Sequence, residues 1–92
     1  MTDIQIITTK KLIGKHLQEE RLNQRLSVYM VAKRAGINKQ KVKSVEAGSS
    51  RYTLDTYLKI MAALNCSFII IDERGGNSGL IQVGLDEVLN SL

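Results

Sequence analysis

Cysteine and histidine are nearly missing from this sequence: Cys66 stands alone, and His16 is the only imidazole. A single cysteine excludes an internal disulfide, and with one histidine the usual zinc ligand sets cannot be assembled from one chain. Also missing are the arrangements that carry covalent or acid–base chemistry. There is no serine on a nucleophile elbow, no paired cysteine and histidine, and no glycine loop placed to cradle phosphate after a strand. The expectation is a protein that is not an enzyme and uses neither a metal nor a cofactor. Long apolar runs are lacking too. None approaches the roughly 18 residues a membrane span requires, and the opening MTDIQIITTKK lacks the charged-then-apolar order of a secretory leader. The expected location is the cytoplasm.

What is present fits one small folded unit. With 92 residues, 43% hydrophobic and 24% charged, the chain has material for one core, with or without a tail. Its charge is unevenly spread. Residues 1–59 carry twelve Lys and Arg against five Asp and Glu, a net +7, whereas residues 60–92 carry Arg74 against four acids, a net −3. A basic N-terminal part suits a polyanionic partner, the plain alternative being an ordinary solvated face.

Helical periodicity begins at Lys10, with Thr9 as N-cap, and runs to about Gln24, where Ile13 and Leu17 sit four residues apart beside Leu12 and His16. Residues 1–9 are expected as an N-terminal arm or strand. Ser27 offers an oxygen to the free amides of a second helix, Val28 to Ala35, whose apolar positions are Val31, Ala32 and Ala35; Gly36 supplies the positive φ that ends it. Asn38 caps a third helix from Lys39 to about Ala47, with Val42 and Val45 inward and Gly48 beyond. Thr53 precedes a fourth, striped by Leu54, Tyr57, Leu58, Met61 and Leu64. Residues 10–66 thus form a helical domain. In residues 67–92, Phe68, Ile69, Ile70 and Ile71 read as a strand, followed by a Gly-rich loop to Gly79. Ile81, Val83 and Leu85 alternate like a second strand, and Val88, Leu89 and Leu92 suit a short last helix.

Two short helices joined by a glycine-containing turn make a helix-turn-helix unit when small residues let them cross closely, as Ala32 and Ala35 do around Gly36. Over residues 11–66, and most clearly in LSVYMVAKRAGINKQKVKSVEAG, the chain resembles the lambda-repressor-like helix-turn-helix proteins of the XRE family. Its next segment, YTLDTYLKIMAALNCSFIIIDER, resembles the fourth helix and terminal strand of HipB-type antitoxins. The resemblance implies a mostly α fold, a four- to five-helix DNA-binding domain followed by a short, intermolecular C-terminal β element.

It also implies roles residue by residue. The third helix would enter the major groove of double-stranded DNA, with Lys39, Gln40, Lys43 and Ser44 at base edges; glutamine suits adenine and an ammonium suits guanine. Ser27, Val28, Lys41, Lys43, Arg51 and Thr53 would meet phosphates, through side chains or through the amides that open the second and fourth helices. The family often has Gln at the position of Val28 and Pro near Arg51, where this chain has none. Arg21 and Glu46 match a structural ion pair. Phe68, Ile69, Ile70 and Ile71 would pair two copies across a two-fold axis as a homodimer, since an apolar strand needs its edge covered. Repression of transcription is the leading expectation. The alternatives are an antitoxin that represses its own operon and holds a toxin partner, and a protein-interaction adaptor that leaves DNA alone.

Overall fold

The computed structural model describes residues 2–70 and 81–83, and in this part the protein is mostly helical. Four helices follow one another: α1 (Asp3–Asn23), α2 (Val28–Ala35), α3 (Lys39–Glu46) and α4 (Leu54–Ala63). Two three-residue strands, β1 (Phe68–Ile70) and β2 (Ile81–Val83), pair antiparallel within the chain, with Phe68 opposite Val83 and Ile70 opposite Ile81. Ile71, the loop to Gly79, and the reading of Leu85, Val88, Leu89 and Leu92 lie outside the described residues.

The expected arm at residues 1–9 is instead helix, because α1 starts at Asp3. The cause is a reciprocal capping box. Thr2 Oγ1 accepts from the Gln5 amide at 3.2 Å, and the Gln5 side chain accepts from the Thr2 amide at 2.7 Å, so two orphan donors are satisfied at once. Thr9, expected to cap, lies inside the helix and donates its hydroxyl to the Gln5 carbonyl four residues back. No core demand produces this extension: Ile4 is 76% exposed, and Ile6 and Ile7 each 40%.

The other boundaries follow their caps. Ser27 accepts from the Met30 amide at 3.1 Å and Asn38 from the Lys41 amide at 2.9 Å. Gly36 ends α2 in the left-handed region at φ 71°, where a Cβ would be strained, and its amide and that of Ile37 close on Ala32 and Lys33 carbonyls. Thr53 occupies the N-cap position of α4, but its side chain makes no cap hydrogen bond.

One core joins the helices. Val31, Val42, Val45, Ile60 and Leu64 are essentially sealed from solvent, and Leu17, Ala32, Tyr57 and Met61 pack with them. By area alone, burying such a side chain stabilises by about 1.5–3 kcal/mol. α2 packs on both α3 and α4, and α3 packs in turn on α1. Gly14 makes the last of these contacts close: a Cβ there would fall inside van der Waals contact of the Val45 carbonyl oxygen, with the carbonyl carbon at 3.0 Å.

Candidate nucleic-acid interface

α3 has a wet face and a dry one. Its residues turn about 100° each, so Lys39, Lys43, Gln40 and Ser44 fall within an arc of about 140°, opposite Val42 and Val45. Lys39, Gln40 and Lys43 are exposed and Ser44 is half-buried, whereas Val42 and Val45 are fully buried. The four expected base-edge residues therefore share one surface. Among the described residues, no hydrogen bond or ion pair takes up their side chains. Lys41 is exposed but lies about 60° beyond this arc, on the side of Val45.

The other expected contacts come from the segments before and after the helix-turn-helix pair. At the start of α2, Ser27 is exposed and its oxygen serves as cap acceptor, which leaves its O–H free to donate. Val28 differs from its expected role in one respect: its side chain packs on the core, so only its amide is available to a phosphate. At the other side, the loop after α3 carries Arg51, which is exposed, with its guanidinium 5.7 Å from the Tyr52 ring centroid. Thr53 is exposed beside it, with a hydroxyl not used in capping. The start of α2 thus offers a hydroxyl and amides, and the segment after α3 a guanidinium, a hydroxyl and the amides that open α4, donors of the kind that attract anions.

Arg21 and Glu46 hold this geometry from behind. The guanidinium donates through Nε to Glu46 Oε2 at 2.8 Å and through Nη2 to Oε1 at 3.0 Å, a two-pronged pair with side chains only 12% and 5% exposed. Its Nη1 donates to the Leu26 carbonyl at 2.8 Å, so the pair also pins the turn that leads into α2. Gln24 adds a second tie, donating to the Leu64 carbonyl at 2.7 Å across the end of α4.

Sequence reasoning passed over two residues that shape the site. Gly14 is visible only as a glycine inside a helical pattern, a signal that in general marks close packing. Lys10 serves as a tether, donating to the carbonyls of Ser50 and Tyr52; nothing within ten residues of it announces partners forty positions away. His16 and Cys66 border a separate groove of about 350 Å³ between α1 and the end of α4, away from Lys39 and Gln40. Among the described residues, no cluster of His, Cys, Asp and Glu could hold a metal ion, and no helix is long and apolar enough to cross a membrane.

A family model described as helix-turn-helix matches residues 17–71, more than half of the chain. No curated protein matches the chain. The resemblance to HipB-type antitoxins finds no support in these comparisons.

Proposed function

The chain belongs to the helix-turn-helix family, and from that membership we propose that it binds double-stranded DNA sequence-specifically through α3, repressing transcription from an operator as a homodimer. The observation that carries this reading is the free, basic face of α3, presented by two capped helices that cross at Gly36. Gln40 offers a donor and an acceptor to adenine N6 and N7, and Lys39 and Lys43 offer donors to guanine O6 and N7. Ser27, the Val28 amide, Lys41, Arg51 and Thr53 set register on phosphates and carry no sequence information. The role is binding, without catalysis or cofactor, in the cytoplasm.

The homodimer follows from the size of one such unit. Two-fold copies reading half-sites about 34 Å apart gain affinity and symmetry that one copy lacks. β2 covers one edge of β1, and a strand has two edges. The remaining edge of Phe68–Ile70 is the proposed joint. Deleting residues 67–92 tests it, since a truncated protein that still sediments as a dimer removes the strand from that role.

Gel-shift titration against a randomised duplex pool tests the function itself. Specific fragments with two-fold symmetry are expected. With roughly six to ten phosphate contacts, affinity should fall about three to five decades between 50 and 200 mM salt. Absence of any shift at either salt would favour an interaction adaptor and end the DNA reading.

A further inference from the structure

Lys10 lies N-terminal to the segment matched by the family model, yet it governs the loop that borders the α3 face. Its Nζ donates to the Ser50 carbonyl at 2.8 Å and to the Tyr52 carbonyl at 2.9 Å. From α4, the Tyr57 hydroxyl donates to the Ser49 carbonyl at 3.2 Å. Two side chains from different helices thus draw three carbonyls of this loop toward the protein.

The consequence for the amides is geometric. The described peptide bonds are trans, and in a planar trans peptide the N–H points away from the C=O in the same plane. Fixing the Ser49, Ser50 and Tyr52 oxygens inward therefore turns the amides of Ser50, Arg51 and Thr53 outward. The Arg51 amide reaches only Ser49 Oγ, at 3.4 Å. Among the described residues, the amides of Ser50 and Thr53 meet no protein acceptor. The uncommitted Thr53 hydroxyl and the Arg51 guanidinium belong to the same short segment. In three of the loop's peptides, then, the acceptor faces the protein and the donor faces away from that acceptor's partner.

We propose that Lys10 is a positioning residue for DNA binding: by tethering the Ser50 and Tyr52 carbonyls it aims Arg51 and the outward amides at a backbone phosphate, without meeting the DNA itself. The inference rests on the DNA-binding reading given above. Released from Lys10, either carbonyl is free to swing outward and set its negative end against the phosphate. Both hydrogen bonds of the tether have a charged donor, the stronger class of such bonds. Lys10 is half-buried and uses two of its three donors in this way.

The test uses the full chain and two labelled duplexes, one selected from a randomised pool and one unrelated, titrated by fluorescence anisotropy from 50 to 200 mM salt. Lys10→Met keeps the length of the stem and removes the donors; Lys10→Arg keeps charge and donors; Lys15→Met, at an exposed position of α1, removes one charge elsewhere. Lys10→Met should bind both duplexes about 10-fold more weakly, with a salt slope shallower by no more than about 1, as expected when the one cationic phosphate contact it aims is lost. Lys10→Arg should stay close to wild type, and Lys15→Met should lose less than about three-fold. Combined with Arg51→Ala, the loss from Lys10→Met should shrink to the part that the outward amides contribute, because the loop it aims no longer carries its guanidinium. If Lys10→Met does not fold, Lys10→Gln, a shorter neutral side chain able to reach one carbonyl, should give an intermediate loss, and wild-type affinity there would overturn the proposal. It is likewise overturned if Lys10→Met matches Lys15→Met, or if the losses at Lys10 and Arg51 add in full, which would make Lys10 a phosphate contact in its own right. A wild-type protein that binds neither duplex ends the DNA reading and this inference together, whereas intact wild-type binding confines any failure to Lys10.

Discussion

Replacing Gly14 with alanine sets two opposing effects against each other. Alanine favours a helix interior over glycine by about 1 kcal/mol, so at an open position the variant would be more stable. At Gly14 the new methyl meets backbone, the Val45 carbonyl oxygen inside contact and its carbon at 3.0 Å. Backbone cannot rotate aside as a side chain can. Restoring ordinary carbon–carbon contact of about 3.5 Å needs at least about 0.5 Å of separation between α1 and α3, and the oxygen needs more. Overpacking of this kind costs about 1–3 kcal/mol. The same movement stretches the buried Arg21–Glu46 bonds, now 2.8 and 3.0 Å, whose complete loss would cost about 3–5 kcal/mol. Steric strain plus a weakened ion pair outweighs the helix propensity, and a net loss of about 2–3 kcal/mol is expected. For a domain this size that lowers Tm by roughly 10–20 °C, read by far-UV circular dichroism and checked by urea titration. Gly36→Ala is the companion variant: nothing lies within 4 Å of its Cβ, so only the left-handed backbone, about 1–2 kcal/mol, opposes it. A Gly14→Ala protein that melts at or above the wild-type temperature would refute the close approach of the two helices.

Further outcomes follow from the same structure. Arg21→Ala leaves Glu46 buried without its partner and should cost about 3–5 kcal/mol in urea, while Arg21→Ala with Glu46→Ala should cost less than the sum of the single changes. Gln40→Ala should relax base preference at one pair in each half-site, and Arg51→Ala should weaken all duplexes alike and lower the salt slope by about 1; quantitative binding to single-base operator variants separates the two. Burial raises the Cys66 thiol above its ordinary 9.0, with the Glu20 charge adding to the effect, and burial raises the Tyr57 phenol above 10.0. Folding therefore holds both groups neutral. Stability from these groups is complete below about pH 8–9, and declines as the unfolded groups begin to ionise, until the folded groups do so too. Urea midpoints that stay constant from pH 8 to 11 would contradict this.

How much of this could be read from residues alone depended on how local the cause was. The limits of α2 and the start of α3 were legible, because Ser27, Gly36 and Asn38 act on amides and carbonyls within four residues of themselves. The inward set Val31, Ala32, Val42 and Val45 was legible from period, and so was the Arg21–Glu46 pair from family resemblance. The start of α1 was not. Ile4, Ile6 and Ile7 form no single stripe, and the decisive signal was the polar Thr2–Gln5 box rather than any hydrophobic pattern. Thr53 shows the converse, a capping residue type at the cap position whose side chain makes no cap bond. Gly14 and Lys10 depend on Val45, Ser50 and Tyr52, contacts that exist only once the chain has folded back on itself.

From α1, the Arg21 guanidinium ties two other stretches of chain together: the Leu26 carbonyl in the following turn, and Glu46 at the end of α3. At eight residues α3 is shorter than the roughly 12–15 that an isolated helix needs to persist in water. Its amides therefore have no private opening route, and at Val42 and Val45 deuterium should enter only when the whole domain comes apart. The exposed face of α3 is as durable as the fold itself, so mutations far from it that erode global stability also erode the lifetime of the surface proposed to meet DNA.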